Sequence, residues 1–318
     1  MAKVLITGIA GFIGSSIARA VLKENGTVRG IDNLSTGKEE NIEDIQSSID
    51  FRFADVTDVH EMENAFREVD YVFHQAAIPS VPVSVADPLG TNEPNLTGTL
   101  CVLEAARKAG VKRLIYAASS AAYGDSLDLP KRESMAPAPI SPYAVQKVAG
   151  EYYLASYARV YGLQTVALRY FNIFGPRQDP TSQYSGVLAR FISQMLEGEA
   201  PTIFGDGTTS RDFTYIDNVV SANLLAARAP SYVSGKIFNV GTGQPITLLS
   251  AYQQIRSLVN YDGELRWKPE REGDIKHSVA DISSAQALLG YNVVTDFVTG
   301  IKKTIDWYKV SMPLAIAN

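Results

Sequence analysis

The length, composition and charge of the chain set the first limits on its function. The chain has 318 residues, of which 46% are hydrophobic and 20% charged, and its formal net charge is −5. These values predict a soluble globular protein of about two domains and give no support to a nucleic-acid-binding surface, which needs a basic face. The single cysteine, Cys101, excludes an internal disulfide. No apolar run reaches the ~18 residues of a membrane span, and a strand predicted from Lys3 leaves no room for a signal peptide, so we expect a cytoplasmic protein.

Apolar strands and amphipathic helices alternate through the first half of the chain. The predicted strands are 3–8, 27–33, 50–56, 69–77, 112–120 and 161–172. The predicted helices include 12–25, 59–69, 95–110 and the one that carries SPYAVQK. Because strands that alternate with helices build a parallel sheet covered on both faces, the predicted fold class is α/β, with a Rossmann-like doubly wound parallel sheet.

The composition of the chain changes after about Phe174, where glycine, proline and aspartate become frequent. This change predicts a smaller, mixed α/β second domain. The segments 215–229 and 236–241 are instead typical of one more helix and strand of the main sheet, so the second domain is expected to be discontinuous. The predicted division gives 1–173 with 213–241 to the sheet domain and 174–212 with 242–318 to the smaller domain.

The first predicted strand leads into the glycine-rich stretch TGIAGFIG. Gly8, Gly11 and Gly14 permit a tight turn and let the backbone approach a pyrophosphate, and the helix that follows offers free N–H groups and a partial positive charge. Asp32, at the end of the second strand, can accept hydrogen bonds from both ribose hydroxyls and repels a 2′-phosphate, which favours NAD over NADP. The alternative is a packing turn without a ligand. Asp55, at the end of the third strand, could accept from an adenine amino group or cap the next helix, and the sequence favours neither.

A serine, a tyrosine and a lysine form the candidate reactive group. Tyr143 and Lys147 are four residues apart and share one helix face. The phenol must lose about three units from its ordinary pKa to act as a base near neutrality, and an ammonium at ~4 Å supplies roughly that much. Ser119 follows the fifth strand, at the edge where doubly wound sheets bind ligands. The three residues suit hydride transfer between a sugar-type alcohol carbon and NAD, with the phenolate as general base. His60, His74 and His277 are scattered, and their spacing predicts no metal site.

The motifs of this chain resemble those of the extended short-chain dehydrogenase/reductase family. Within it they are most similar to the NAD-dependent UDP-sugar 4-epimerases, and closest to the UDP-N-acetylglucosamine 4-epimerases. The likeness covers nearly the whole chain and includes TGIAGFIG, IDNLSTG, FADV, HQAA, NLTGTL, AASSAAYG, SPYAVQK, RYFNIFGPRQDP, IFGDGTTSRDF, YIDNV, NVGTG and REGDIKHSVAD. It implies inversion at C4 through a 4-keto sugar that turns about its diphosphate linkage, while tightly held NAD is regenerated in each cycle.

The resemblance also implies what chemistry is missing. Related 4,6-dehydratases carry Thr-Asp-Glu where this chain has Ser119, Ser120 and Ala121, and related decarboxylases keep the glutamate. Because Ala121 can serve neither reaction, we expect the chemistry to stop at oxidation and reduction of C4.

The same resemblance assigns contact residues in each predicted domain. The contacts implied for NAD are Gly8, Gly11, Phe12, Ile13, Gly14, Asp32, Asn33, Ser35, Gly37, Asp55, Val56, Gln75, Ala76, Ala77, Asn95, Tyr143, Lys147 and Tyr170. The contacts implied for the UDP-sugar are Ser80, Ser119, Ser120, Asn172, Gln178, Val187, Thr202, Phe204, Arg211, Arg271, Asp274 and Ser278. Arg211 and Arg271 also have an independent physical case, because a guanidinium fork fits phosphate oxygens bidentately.

Ser278 bears on the choice of sugar. Epimerases restricted to glucose and galactose have a bulky tyrosine at the matching position, whereas serine leaves space for an acetamido group. We therefore expect UDP-GlcNAc and UDP-GalNAc as substrates, with UDP-glucose and UDP-galactose as further candidates. A UDP-glucuronate or UDP-pentose 4-epimerase is the alternative enzyme, in which Arg177 could receive a carboxylate. The sequence favours a structural role in a loop for Arg177. A non-catalytic nucleotide-sugar or NAD sensor is the alternative outside catalysis, and the intact Ser119, Tyr143 and Lys147 disfavour it.

Two departures from the family pattern accompany these assignments. Val83 stands where relatives commonly carry a basic residue, and Pro94 is expected to interrupt a helix just before Asn95. The resemblance further implies a homodimer through a four-helix bundle built from helices 97–110 and 143–160.

Overall fold

The computed structural model describes residues 2–180, 186–270 and 275–311. The strands are β1 Lys3–Thr7, β2 Thr27–Asp32, β3 Ile49–Phe53, β4 Tyr71–His74, β5 Arg113–Ser119, β6 Thr165–Tyr170, β7 Ile173–Phe174, β8 Thr202–Phe204, β9 Ser210–Asp212, β10 Thr214–Tyr215, β11 Lys236–Val240, β12 Pro245–Thr247 and β13 Arg266–Lys268. The α-helices are α1 Phe12–Lys23, α2 Val59–Ala65, α3 Val81–Ala86, α4 Pro88–Asn92, α5 Gly98–Ala109, α6 Pro142–Tyr161, α7 Val187–Leu196, α8 Ile216–Arg228, α9 Leu248–Val259, α10 Ser283–Leu289 and α11 Phe297–Ser311.

Seven parallel strands form the main sheet within the described ranges, in the order β11-β6-β5-β4-β1-β2-β3. The predicted α/β class and doubly wound sheet are confirmed, and 236–241 supplies one more strand as predicted, β11, which pairs with β6. The strand order reverses direction between β1 and β4. At such a switch point the loops diverge and leave a crevice at the carboxyl ends of the strands.

Helices cover both faces of this sheet because successive side chains of each strand point to opposite sides. Leu5 and Ile6 of β1 are both fully buried, but they belong to different cores. Ile6 packs with α1 and α8, and Leu5 packs with α2, α5 and α6. The two cores fix the strand ends from which the site is built.

The chain from α4 to α5 contains a wide turn at Pro94. Glu93–Thr97 forms a π-helical turn between the two helices, and Thr97 and Gly98 keep helical dihedral angles. The α-helix is interrupted at Pro94, as predicted, but the chain stays helical through the π-helical turn. The wider turn accommodates the missing N–H of proline without ending the helical conformation.

Short sheets and three helices build the carboxyl-terminal part. In the described residues β7 pairs with β10, β9 with β12 and β8 with β13, and α7, α9 and α11 pack together. The fully buried Asp212 carboxylate ties three segments by accepting from Thr242 N at 2.7 Å, Gly243 N at 2.9 Å and Ala280 N at 3.1 Å. No helix among the described residues is both long and apolar enough to span a bilayer.

Candidate active site

A cavity of about 550 Å³ opens at the carboxyl ends of the central strands. Its wall includes the turn from β1 to α1, the ends of β2, β4 and β5, the first turns of α6, and the segment around Ser278. The described residues predicted for the dinucleotide and for the sugar thus meet, for the most part, in one cavity.

The turn between β1 and α1 forms a cradle that only glycine fits. Gly8 has φ +70°, and a Cβ built on it would lie 2.7 Å from Ala76 N. A Cβ on Gly14 would collide with the Gly8 carbonyl oxygen. The start of α1 has no acidic residue in its first turn and no side-chain cap. Its N–H groups therefore remain available for a pyrophosphate, and the cradle fits a dinucleotide.

Asp32 holds the end of β2 at this cradle. Its Oδ2 accepts from Ala10 N and its Oδ1 from Leu34 N, each at 2.9 Å. Burial raises the pKa of the Asp32 carboxyl, and hydrogen bonds from Leu34, Ala10 and Asn33 N–H groups oppose this. A Cβ on Gly37 would lie 2.9 Å from both carboxylate oxygens, so glycine keeps that side open. The position fits the predicted acceptor for ribose hydroxyls.

Asp55 lies just outside the cavity wall, next to the lining residues Ala54 and Val56. Its carboxylate accepts from Thr57 N at 2.9 Å and from Asn33 Nδ2 at 2.7 Å. Burial raises the pKa of Asp55, but the hydrogen bonds outweigh it and the pKa is lowered. The helix-cap alternative for Asp55 is wrong, because Asp58 caps α2 by accepting from the His60 and Glu61 N–H groups.

Ser119, Tyr143 and Lys147 all line the cavity, as their sequence positions predict. Ser141 begins α6 by accepting from Ala144 N at 3.2 Å, which places Tyr143 in the first turn. The Ser119 hydroxyl accepts from Ala121 N at 3.2 Å, and it faces the same cavity as the Tyr143 phenol. Lys147 Nζ donates to the Ala117 carbonyl oxygen at 2.9 Å. A hydroxyl, a phenol and an ammonium are therefore fixed along one wall.

The pKa values of Tyr143 and Lys147 differ from the expectation that the lysine would lower the pKa of the phenol. Burial raises the pKa of the Tyr143 phenol, and the Ser119 hydrogen bond opposes it only in part. Burial also lowers the pKa of Lys147 to about 7, with Glu151 opposing. Lys147 Nζ lies 5.9 Å from the centroid of the Tyr143 ring. The side chains by themselves thus do not produce the predicted fall in the phenol pKa, since both groups are desolvated.

Most residues predicted for the cofactor line the cavity. These are Gly8, Gly11, Phe12, Ile13, Gly14, Asp32, Asn33, Ser35, Gly37, Val56, Gln75, Ala76, Ala77, Tyr143, Lys147 and Tyr170. Asn95 lies behind the wall instead. Its Oδ1 accepts from Ile78 N at 2.7 Å, and its Nδ2 donates to Gln146 Oε1 at 2.7 Å. Asn95 therefore ties the loop after β4 to α6.

The predicted substrate residues divide into three groups. Ser119, Ser120, Asn172, Gln178, Arg211 and Ser278 line the cavity. Ser80, Val187, Thr202 and Phe204 do not line it. Ser80 differs because its buried hydroxyl caps α3, accepting from Val83 N at 3.2 Å. Arg271 and Asp274 lie outside the described residues.

The cavity wall also contains residues that sequence reasoning missed. Lys38, on the loop after β2, pairs with Asp179, after β7, at 2.6 Å. Lys131 is buried and donates to the Ser126 carbonyl oxygen. Tyr123 lies in the quoted motif AASSAAYG and could have been found there. Lys131 and the Lys38–Asp179 pair have no local signal, because they depend on how distant loops meet.

A glycine cradle at the switch point of a parallel sheet, with Ser, Tyr and Lys on the same cavity wall, defines a dinucleotide-dependent enzyme of the short-chain dehydrogenase type. The model of the NAD dependent epimerase/dehydratase family matches residues 4–241. The chain belongs to this family, and NAD is its cofactor.

Known relatives match along nearly the whole chain. A UDP-glucose 4-epimerase of Mycolicibacterium smegmatis is 37% identical over 312 residues, covering 96% of this chain and 98% of the relative. A UDP-N-acetylglucosamine 4-epimerase from Methanobrevibacter ruminantium, solved with UDP-N-acetylmuramic acid, is 40% identical with a TM-score of 0.93, covering 98% of this chain and 99% of the other. A Thermus thermophilus UDP-glucose 4-epimerase solved with NAD is 38% identical with a TM-score of 0.89, covering 97% and 99%.

Proposed function

We propose that this protein is a UDP-sugar 4-epimerase that interconverts UDP-GlcNAc and UDP-GalNAc, with UDP-glucose and UDP-galactose as further substrates. The observation that carries the proposal is the placement of Ser119, Tyr143 and Lys147 in the cavity that also holds the glycine cradle and Ser278. The matching relatives act on UDP-glucose and UDP-N-acetylglucosamine by name, which supports this class of substrate. The division of the chain into an NAD-binding part, 1–173 with 213–241, and a UDP-sugar-binding part is included in the proposal.

The residues of the wall have distinct roles in this reaction. When bound, NAD takes up and returns the hydride of the sugar C4. Gly8, Gly14 and Asp32 would hold it. The Tyr143 phenolate accepts the proton of the 4-hydroxyl and returns it to the 4-keto oxygen when the opposite face is reduced. Ser119, on the same cavity wall as Tyr143, orients the sugar oxygen.

The absence of an acid beside Ser119 limits the chemistry. Ser120 and Ala121 follow it in the cavity wall, and neither can remove a proton from C5 or protonate a departing hydroxyl. The 4-keto sugar is therefore reduced again rather than dehydrated.

Arg177 favours a second candidate substrate, a UDP-uronic acid. It lines the cavity, and burial lowers the pKa of its guanidinium. The carboxylate with which it is paired, Asp44, is 4.0 Å away and 57% exposed. The distance and exposure of Asp44 support Arg177 as the group that would bind a sugar carboxylate.

One incubation series tests the proposal. The protein is mixed with UDP-GlcNAc, UDP-glucose or UDP-glucuronate, each without added NAD, and the 4-epimers are separated. We expect conversion of UDP-GlcNAc, and Tyr143→Phe should abolish it. Conversion of UDP-glucuronate alone would establish the second candidate. No conversion of any of the three by protein shown to carry NAD would refute the epimerase proposal.

The exposed face of α6 supports a homodimer as part of this proposal. Val145, Tyr152 and Val160 are 51%, 61% and 64% exposed, and they follow one stripe of a helix that packs on α5. A second copy that presents the same helices would bury this stripe in a four-helix bundle. Tyr152→Glu should convert the dimer to a monomer in sedimentation, whereas Tyr232→Glu, at a tyrosine 59% exposed elsewhere, should not.

A further inference from the structure

The ammonium of Lys147 is buried with little to balance its charge. The residue is 3% exposed, and its one hydrogen bond within the described residues is to the Ala117 carbonyl oxygen. The nearest acid along α6 is Glu151, but both of its carboxylate oxygens are committed to Arg169, at 2.8 and 2.7 Å. A buried ammonium ordinarily has partners, and the protein itself makes a further contact to Lys147 besides this hydrogen bond.

The ring of Tyr116 supplies that contact. Lys147 Nζ lies over its face, 4.8 Å from the ring centroid. Tyr116 belongs to β5, directly before the Ala117 carbonyl that Lys147 also contacts. An ammonium within about 6 Å of an aromatic face is attracted by the ring quadrupole, most strongly where water is excluded.

The surroundings of Tyr116 fix its ring and leave its hydroxyl unused. The His74 ring packs on it with centroids 5.6 Å apart, and a Cβ on Gly150 would lie 2.5 Å from its Oη. The hydroxyl is buried without a hydrogen-bond partner in the described part of the chain. The nearby Thr99 hydroxyl tends to lower the Tyr116 pKa. Its proton is already donated to the Asn95 carbonyl oxygen, at 2.7 Å. Tyr116 therefore contacts its surroundings through its ring rather than through its hydroxyl.

We propose that Tyr116 is a positioning residue of the epimerase, whose ring face holds Lys147 in place and in its protonated form for its work on Tyr143. The inference rests on the proposed function and deepens it at the same site. Tyr116 touches no reacting atom; it acts through Lys147.

The ring contact matters because Lys147 is close to losing its proton near neutrality. Burial lowers the pKa of Lys147 to about 7, and Glu151 opposes. Among the described residues, the other titratable groups that face the ammonium are Tyr143, Tyr116 and His74. His74 is neutral near pH 7, since burial and then Lys147 lower its pKa to about 3. Loss of the ring face would therefore lower the pKa of Lys147 and reduce its protonated fraction near neutrality.

Matched variants separate the ring from its hydroxyl. Tyr116→Phe keeps the face and removes the unused hydroxyl, so the pH profile of kcat should not move. Tyr116→Leu removes the face, so the basic limb of the profile should move about one pH unit lower, with KM for the sugar nearly unchanged. Fluorinated phenylalanines at position 116 weaken the ring face with little change of shape, and they serve if the leucine variant does not fold.

A second readout does not depend on catalysis. The titration of Lys147 is followed by NMR of the isotope-labelled lysine side chains and assigned by its absence in Lys147→Met. Its midpoint should fall stepwise with fluorination and stay in place in Tyr116→Phe. If kcat falls equally at every pH and the Lys147 midpoint is the same in all variants, Tyr116 only fills space and the proposal fails. A wild-type protein without epimerase activity would refute the proposed function instead, while the lysine titration still decides whether the ring acts on the ammonium.

Discussion

Glu151 and Arg169 form a bidentate ion pair with both side chains 1% exposed. Arg169 Nε donates to Oε1 at 2.8 Å and Nη2 to Oε2 at 2.7 Å. The pair joins α6, one turn after Lys147, to β6, and the guanidinium also lies 4.6 Å from the centroid of the Tyr123 ring. The helix that carries Tyr143 and Lys147 is thereby fixed to the sheet by charge as well as by apolar packing.

Glu151→Gln should strongly destabilise the fold. It leaves the buried Arg169 without its counter-charge, and breaking such a pair costs about 3–5 kcal/mol of unfolding free energy. The control is Glu63→Gln, which breaks the exposed Lys108–Glu63 pair and should cost less than about 1 kcal/mol. Urea denaturation measures both, and equal losses would contradict the importance of burial.

Asp32→Asn should weaken NAD binding. It removes the charge that would accept from the ribose hydroxyls, and a hydrogen bond to a charged group contributes about 1.5–3 kcal/mol, or roughly 10–100-fold in Kd. Because the 2′-phosphate is no longer repelled, the preference for NAD over NADP should narrow. Titration with both nucleotides measures this, beside Glu39→Gln, an exposed change in the same region. An unchanged ratio of the two Kd values would argue against the predicted role of Asp32.

Ser278→Tyr should separate the two sizes of sugar. Ser278 lines the cavity, and the hydrogen bond of its N–H to the Ser210 carbonyl oxygen at 3.1 Å holds the backbone there, so an added ring would take up cavity space. We expect kcat/KM for UDP-GlcNAc to fall about tenfold or more while that for UDP-glucose is largely kept. Ser278→Ala is the control and should retain both activities. Equal loss of both in the tyrosine variant would count against the steric explanation.

His74→Gln should reduce the sensitivity of the fold to acid. Burial lowers the pKa of His74 to about 3, whereas the unfolded chain takes up the proton near pH 6.5. Between about pH 6.5 and about pH 3 the unfolded state therefore binds more protons than the folded state. As the pH is lowered through this range, the free energy of unfolding decreases by up to about 1.4 kcal/mol per pH unit. The glutamine variant should lose this slope between about pH 6 and pH 5. His60→Gln, at an exposed histidine, should keep it; identical slopes in both variants would contradict the assignment.

Local pattern was enough to predict much of this molecule. The alternation of strands and helices predicted the doubly wound sheet, including β11, because the spacing of apolar residues along each segment differs between a strand and a helix. Tyr143 and Lys147 could be placed on one wall because residues four apart share a helix face. Ser119 could be added because it lies at the end of a strand that reaches the same edge of the sheet.

The remaining features depend on contacts that no short stretch encodes. Asn95 and Ser80 were assigned as ligand contacts, but their side chains satisfy the Ile78 backbone and the start of α3. The Lys38–Asp179 pair requires two distant loops to meet. The charge state of Lys147 follows from complete burial, which residue spacing does not reveal.

The Asp212 carboxylate has a consequence for the order in which the chain is built. The seven-stranded sheet is complete in sequence once β11 has been made, but the N–H groups that Asp212 needs come from Thr242, Gly243 and Ala280. A growing polypeptide of only the first 240 residues contains all seven strands of this sheet, but its Asp212 lacks these three donors. The contacts that tie Asp212 to the segment before Ser283 can therefore form only after Ala280 has been made.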